Sequence, residues 1–142
     1  MLKNLLMKKI ISIVLVTLLL AACSTKEKKL PATALDTGRE FIRASLDGDF
    51  EKAETLLLID TQNLQLFESY KQFFSKLPED KKRNYKEASY TINKYVDTND
   101  SSTLINYSNS YMKKPMDIKL VRINKNWNVD FKYTYSGNVV GD

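Results

Sequence analysis

Leu46-Asp47-Gly48-Asp49-Phe50-Glu51-Lys52-Ala53 is a turn between two amphipathic helices. Gly48 can adopt the positive φ that closes a helix, and the carboxylate of Asp49 can cap the next one. On the N-terminal side, a helix is predicted over 33–47, since its apolar positions recur at helical spacing. They are Leu35, Gly38, Ile42 and Leu46, with Phe41 on the flank.

Two further helices are predicted on the C-terminal side of this turn. The first brings Phe50, Ala53 and Leu57 together. The second covers 61–77 and ends before Pro78, with one aromatic stripe. Its members are Phe67, Tyr70, Phe74 and Leu77. Such a stripe can line a ligand cavity, but at helical spacing it more often belongs to the core. The Lys81-Lys82-Arg83 cluster that follows is predicted to be a solvated loop.

Beyond Arg83 the apolar period changes from helical to two, which predicts four strands joined by short turns. The predicted inward faces are Ala88, Tyr90, Ile92 and Val96, with Lys94 as the polar interruption; Thr103, Ile105, Tyr107 and Tyr111 in a strand over 104–112; Met116, Ile118 and Leu120; and Trp127, Val129, Phe131, Tyr133 and Tyr135. The turns are predicted at 97–102, 113–115 and 124–126. Consecutive short turns favour an antiparallel meander with one apolar face.

Helices followed by such a sheet predict an α+β domain over 32–135, with the N-terminal helices packed on the apolar face of a four-stranded antiparallel sheet. Residues 136–142 are then a C-terminal tail. One domain is also what this chain length accommodates.

The N-terminus has the pattern of a secretory signal: Lys3, Lys8 and Lys9, an apolar run over 10–20, and two small residues. A membrane-spanning helix needs about 20 apolar residues, and this run is about half as long. Leu20-Ala21-Ala22-Cys23 resembles the lipobox of bacterial lipoproteins, in which the chain is cut before a cysteine that carries the lipid. The resemblance implies a signal peptide over 1–22, lipidation of Cys23 and a tether over 23–31.

Lipidation would place the domain in the cell envelope, anchored to a membrane and extracytoplasmic. Ser24 after the cysteine is compatible with an outer membrane facing the periplasm in a Gram-negative host; in a Gram-positive host the anchor lies on the outer face of the single membrane. Removal of 1–22 takes away three lysines and no acids, which leaves a net charge of about +2. Without a clustered basic face, no nucleic-acid partner is predicted.

The helix and turn around Gly48, the second helix and the four meandering strands around Trp127 resemble the NTF2-like (cystatin-like) superfamily. Within it, the chain is most similar to the small bacterial lipoproteins grouped as DUF4878, a family without an assigned function. The resemblance covers 32–135 and implies a cone-shaped domain, in which a curved sheet wraps around a helix and a pocket lies at the wide end. The residues predicted to line that pocket are Tyr90, Ile92, Trp127, Phe131 and Tyr133.

The chain contains no histidine, and its single cysteine is assigned to the lipid. This excludes Ser-His-Asp and Cys-His catalysis and the usual zinc ligand sets, so no catalytic residue, metal or cofactor is predicted. An Asp/Tyr isomerase or dehydratase is the remaining catalytic hypothesis. Its parts would be Asp117 or Asp130 with Tyr90, Tyr107 or Tyr133, although both aspartates are predicted to face solvent.

Three functions remain open. The preferred hypothesis is a lipid-anchored binding or interaction module of the envelope, with a small ligand in the cone pocket or an envelope protein as its partner. The alternative is a structural or accessory part of an envelope assembly, which predicts a filled cone and a large apolar surface patch. The isomerase is third and predicts an acid in the pocket. Homodimerisation through the sheet is also left open.

Overall fold

The structure is a computed structural model that describes residues 30–134. Its elements in chain order are α1 (Ala34–Asp47), α2 (Phe50–Glu54), α3 (Thr61–Ser75), α4 (Glu79–Glu87), β1 (Tyr90–Asn99), β2 (Ser102–Asn109), β3 (Met116–Ile123) and β4 (Asn126–Val129). The predicted signal peptide, Cys23, nearly all of the tether, Tyr135 and the C-terminal tail lie outside the described residues. Within 30–134, no helix is long and apolar enough to cross a bilayer.

Caps define both ends of α1 and the start of α2, and those at Gly48 and Asp49 are as predicted. Thr33 Oγ1 accepts a hydrogen bond from the backbone N–H of Asp36 at the start of α1. Gly48 ends α1 with φ 73°, and Asp49 Oδ1 accepts from Lys52 N–H at the start of α2. α2 ends at Glu54, so Leu57 lies beyond it and forms an isolated bridge to Val129 instead of a last helical turn.

The prediction of a loop at Lys81-Lys82-Arg83 is wrong, because these residues lie within α4. The helix buries none of its residues, so it has no apolar periodicity for a sequence pattern to detect. Acidic side chains in its first turn and Lys86 in its last match the helix dipole. Arg43 of α1 holds the end of α4 by donating to the carbonyl oxygens of Lys86 and Ala88.

The four strands form one antiparallel sheet in the order β1-β2-β3-β4, which confirms the predicted meander and the α+β class. α1 packs on its apolar face around fully buried Ile42, Ile105, Ile118 and Leu120. Gly38 permits the close approach, since a Cβ built there would stand 2.5 Å from Ile105 Cδ1.

β1 carries a register shift between Ile92 and Lys94 that reverses its faces. Ile92 pairs with Tyr107, but after the shift Tyr95 pairs with Ile105 and Val96 with Leu104. The predicted inward position of Val96 is therefore wrong, and its side chain is 37% exposed. A bulge inserts one residue, which moves the following side chains to the opposite face, here as far as the second register shift between Asp97 and Asn99.

Two strands end earlier than predicted. β2 stops at Asn109, so Tyr111 lies in the following turn and not in the strand. β4 stops at Val129, and residues 131–134 are helical, so the strand predicted through Tyr133 is wrong. Tertiary contacts hold this segment: Asp130 N–H donates to Lys119 O, and Lys132 N–H donates to Oδ1 of the fully buried Asn63 at 2.8 Å.

Candidate ligand cavity

A cavity of about 360 Å³ lies between the helices and one end of the sheet. The elements around it are the C-terminal halves of α1 and α3, α4, the end of β2 with the turn after it, the start of β3 and the helical segment after β4. Its lining is Phe41, Ser45, Leu46, Ser69, Tyr70, Phe73, Tyr85, Tyr107, Asn109, Met112, Met116, Phe131 and Thr134. The volume falls at the lower end of the range of small-molecule sites.

One wall of the cavity is an aromatic cluster around Phe131. Its ring centroid lies 5.8 Å from that of Tyr70, 6.2 Å from that of Phe41 and 5.2 Å from that of Phe67, with the last two edge-on. Tilted and edge-on rings at these separations are the favoured aromatic arrangements. Phe131 reaches this place because the chain turns helical after β4 and its side chain becomes buried.

Asn109 contributes the most strongly oriented polar group in the lining. It is 2% exposed, and its Oδ1 accepts hydrogen bonds from the backbone N–H groups of Tyr111 and Met112 at 3.1 and 2.8 Å. Its Nδ2 is buried and, among the described residues, has no hydrogen-bond partner. Ser45 Oγ, across the same cavity lining, is likewise buried and unpartnered within 30–134.

The tyrosine hydroxyls of the lining are neutral. Burial raises the pKa of Tyr70 to about 12 and also raises the pKa of Tyr107. Tyr85 and Tyr107 contact the thioether sulfurs of Met112 and Met116, at 3.3 and 3.9 Å. Because sulfur is a weak acceptor, these hydroxyls stay available to a stronger one.

The mouth of the cavity is apolar and open to solvent. Phe73 from α3 is 59% exposed and Met112 from the turn after β2 is 47% exposed. Large apolar side chains left in water beside a cavity are typical of sites that receive a ligand or a partner. The site thus combines an accessible apolar mouth with a buried, partly unsatisfied polar wall.

Of the five residues predicted to line the pocket, only Phe131 lines this cavity. Tyr90 and Ile92 are half-buried against the core, and Trp127 lines a separate depression beside Thr33 and Asp97. Tyr133 is 37% exposed and lies under the Lys119 ammonium at 5.5 Å. Early termination of β4 explains the Tyr133 discrepancy, since the alternation assumed for 127–135 stops at Val129.

The two aspartates of the isomerase hypothesis lie outside the cavity lining. Asp117 is on the opposite face of the sheet, where its Oδ1 accepts from Asn106 Nδ2. Asp130 lies between the ammonium groups of Lys119 and Lys132, each 3.9 Å away. Tyr107 is the one residue of that hypothesis in the lining, and none of the described lining residues is an acid. Within 30–134, no cluster of three or more His, Cys, Asp or Glu side chains is arranged to hold a metal.

The polar pair Ser45 and Asn109 was not among the residues selected from the sequence. Both were detectable as polar interruptions of apolar faces: Ser45 follows Phe41 by four residues on α1, and Asn109 continues the alternation of Thr103, Ile105 and Tyr107. The structure shows the reason for an asparagine at this position, since Asn109 Oδ1 caps the turn that follows β2.

Comparison of the chain with protein-family models, curated proteins and solved structures finds no significant match. The similarity to the NTF2-like superfamily and to lipoproteins therefore stays a prediction from the residues that carry it.

Proposed function

We propose that this chain is a lipid-anchored module of the cell envelope that binds a small, mainly apolar molecule. The cavity of about 360 Å³ carries the proposal, since it combines aromatic walls, an exposed apolar mouth and the buried polar residues Ser45 and Asn109 in its lining. Closed cores are normally packed without such space, and buried polar groups are normally paired. A cavity that the described side chains leave open is therefore better suited to binding than to a purely structural role.

Anchoring at Cys23 is compatible with an accessible cavity. The tether predicted over 23–31 precedes Thr33, the cap at the start of α1. Ser45, in the cavity lining, is 12 residues further along that helix, or roughly 18 Å at the usual rise. The chain thus enters α1 at the end away from Ser45, which is compatible with a domain held near a membrane while its cavity stays free.

An accessory role in an envelope assembly is the second candidate, because Ile59 and Phe73 are large apolar side chains exposed to solvent. A partner protein that covers the mouth would bury Phe73 and Met112. The unfilled cavity is what favours a small ligand over this alternative. The Asp/Tyr isomerase ranks third, since its aspartates do not reach the cavity.

Native mass spectrometry of the protein purified from its host membranes tests the proposal. We expect a diacylglyceryl mass on the N-terminal Cys23 peptide and a defined co-purifying mass on the folded protein. Ser69→Trp, at an exposed position of the cavity wall, should remove that second mass by filling the mouth. Ser75→Trp is the matched control: it lies on the same helix, is also exposed, bonds back to a helical carbonyl as Ser69 does, and is outside the lining.

Two results would contradict the proposal. An unmodified Cys23 would remove the anchor, and a protein with no bound mass in wild type and Ser75→Trp alike would remove the ligand. A co-purifying protein whose binding depends on Phe73 would favour the accessory role, and the same spectra report whether the chain forms homodimers.

A further inference from the structure

We propose that the cavity ligand is a medium-chain fatty acid, whose alkyl chain fills the apolar cavity while its carboxylate stays at the mouth beside Lys76 and Lys113. This inference rests on the proposed binding function and names the chemical class of the ligand.

The described lining of the cavity carries no formal charge. None of these residues is Lys, Arg, Asp or Glu. Burial raises the pKa values of Tyr70 and Tyr107, so both hydroxyls stay protonated. A carboxylate or ammonium group buried among these side chains would lack a counter-charge, which is strongly unfavourable. The part of the ligand that enters the cavity is therefore uncharged, and any charged group stays at the mouth.

The size and the side chains of the cavity suit a single alkyl chain. At about 30 Å³ for each water-sized group, a volume of about 360 Å³ holds about a dozen non-hydrogen atoms. Phe41, Phe131, Met112 and Met116 are among the apolar residues of the lining. Methionine is unbranched and polarisable, so it adapts to a flexible apolar ligand. A saturated chain of about ten carbons with one carboxylate matches this size.

The mouth of the cavity is basic as well as apolar. Its exposed apolar residues, Phe73 and Met112, come from different elements, and an exposed lysine follows each of them. Lys76 comes three residues after Phe73, at the helical C-cap of α3, so the two lie on the same side of that helix. Lys113 follows Met112 directly in the turn after β2. A lysine can lay its apolar stem along such side chains while its ammonium stays in water.

The two segments that carry the mouth contain no acid to offset these lysines, since neither 69–77 nor 109–116 includes Asp or Glu. Glu68, just before the first segment, forms an ion pair with Lys71 at 2.6 Å. Asp117, just after the second, lies on the opposite face of the sheet. An anionic group at the mouth is therefore attracted from both segments, whereas a cationic group is repelled.

Three probes with one ten-carbon chain test the inference: decanoate, 1-decanol and decyltrimethylammonium have an anionic, a neutral and a cationic head group. The full chain, as processed by its host and with ¹³C-methyl methionine, is placed in phosphatidylcholine nanodiscs at about pH 8, where a carboxylic acid is ionised. Empty nanodiscs correct for probe dissolved in lipid. Met112 and Met116 are the methionines of 30–134, and both line the cavity. Saturating shifts of their methyl signals therefore report binding at this site.

At low ionic strength we expect decanoate to bind at least about fivefold more tightly than decyltrimethylammonium. Lys113→Glu should weaken decanoate about 3- to 10-fold, because it replaces an exposed attraction with a repulsion of similar size, and should change decanol less than about twofold. Lys125→Glu is the matched control and should change neither affinity. Lys125 is also an exposed lysine at positive φ, 69° against 55° for Lys113, but it lies in the turn at the other end of β3.

Two tryptophan variants show whether the alkyl chain enters the cavity. Ser69→Trp fills the mouth and should abolish the shifts caused by all three probes, whereas Ser75→Trp, outside the lining, should leave them unchanged. Shifts that persist in Ser69→Trp would place the chain outside the cavity and overturn the inference.

The remaining failures are distinguishable from one another. If decyltrimethylammonium binds as tightly as decanoate, or if Lys113→Glu leaves decanoate unchanged or weakens decanol equally, the anionic head group is wrong and the binding function stays intact. If no probe shifts Met112 or Met116, the fatty-acid class is wrong, whereas the binding function itself is decided by the co-purifying mass.

Discussion

Asn63→Ala should destabilise the whole domain, although Asn63 lies far along the chain from the segment it supports. Asn63 is fully buried, and its Oδ1 accepts the backbone N–H of Lys132 at 2.8 Å. Its Nδ2 donates to Asp60 Oδ2 at 2.9 Å. These bonds join the start of α3 to the helical segment that carries Phe131, one wall of the cavity.

The expected loss of stability follows from the hydrogen bond and the side-chain volume that alanine removes. Alanine leaves the half-buried Lys132 N–H without its acceptor, at a cost of about 1–3 kcal/mol, while Asp60 is exposed enough to exchange its bond for water. The lost side-chain volume adds a cavity contribution. We expect the free energy of unfolding to fall by about 2–4 kcal/mol. The Lys132–Asp60 ion pair at 2.7 Å is retained and limits the loss.

Urea unfolding followed by the fluorescence of Trp127, the chain's one tryptophan, measures this change. Asn93→Ala is the matched control, since Asn93 Nδ2 also makes one amide bond, to Asn106 Oδ1 at 2.9 Å, but at an exposed position of β1. It should cost less than about 0.5 kcal/mol. Hydrogen exchange at the Lys132 amide should accelerate only in Asn63→Ala. A loss below about 1 kcal/mol, or unchanged exchange, would refute the reasoning.

Three further substitutions test the packing, the turn and the buried tyrosine by the same unfolding measurement. Gly38→Ala should destabilise the domain by about 1–2 kcal/mol, because overpacking against Ile105 Cδ1 outweighs the better helix propensity. Ile105→Val removes that atom and should restore part of the loss. A stabilised Gly38→Ala would show that Ile105 moves freely. Gly48→Ala should lower the free energy of unfolding by about 1–2 kcal/mol, since φ is 73° and the new Cβ meets the Phe74 ring at 3.2 Å. Gly48→Asn should lower it less. Equal losses for the two variants would contradict the backbone explanation. Burial raises the pKa of Tyr70 to about 12 in the folded protein. The free energy of unfolding therefore keeps its full value below about pH 10 and falls by roughly 2–3 kcal/mol as the pH rises towards about 12. Tyr70→Phe should therefore lose that much less stability than wild type between about pH 9 and pH 12, and parallel pH profiles would contradict the burial of this hydroxyl.

Local patterns predicted the parts of the fold whose stability is local. The turn at Gly48-Asp49 follows from a positive φ and a side-chain cap, both properties of a few neighbouring residues. Alternation over 116–120 correctly placed Ile118 and Leu120 inward, since β3 has no bulge. The meander follows from consecutive short turns, of which Asn124-Lys125 has the positive φ values of a tight hairpin.

The wrong predictions have different causes, and one of them is a distant contact that overrides the local pattern. Alternation through Tyr133 predicted a long last strand, yet Asn63, about seventy positions earlier, accepts a backbone N–H there and the chain turns helical. The bulge after Ile92 reverses β1 without any Gly or Pro to announce it. α4 was missed because none of its residues is buried, so its sequence has no apolar periodicity that predicts a helix.

The sequence was sufficient for the helical turn at Gly48, the order of the strands and the α+β class, because capping, backbone conformation and alternation depend on residues close together in the chain. The cavity needed the folded chain. Its wall combines Ser45 of α1, Asn109 at the end of β2 and Phe131 after β4, which no sequence spacing relates. Whether a buried hydroxyl or amide has a partner depends on which distant atoms packing brings beside it, and that is a property of the tertiary structure.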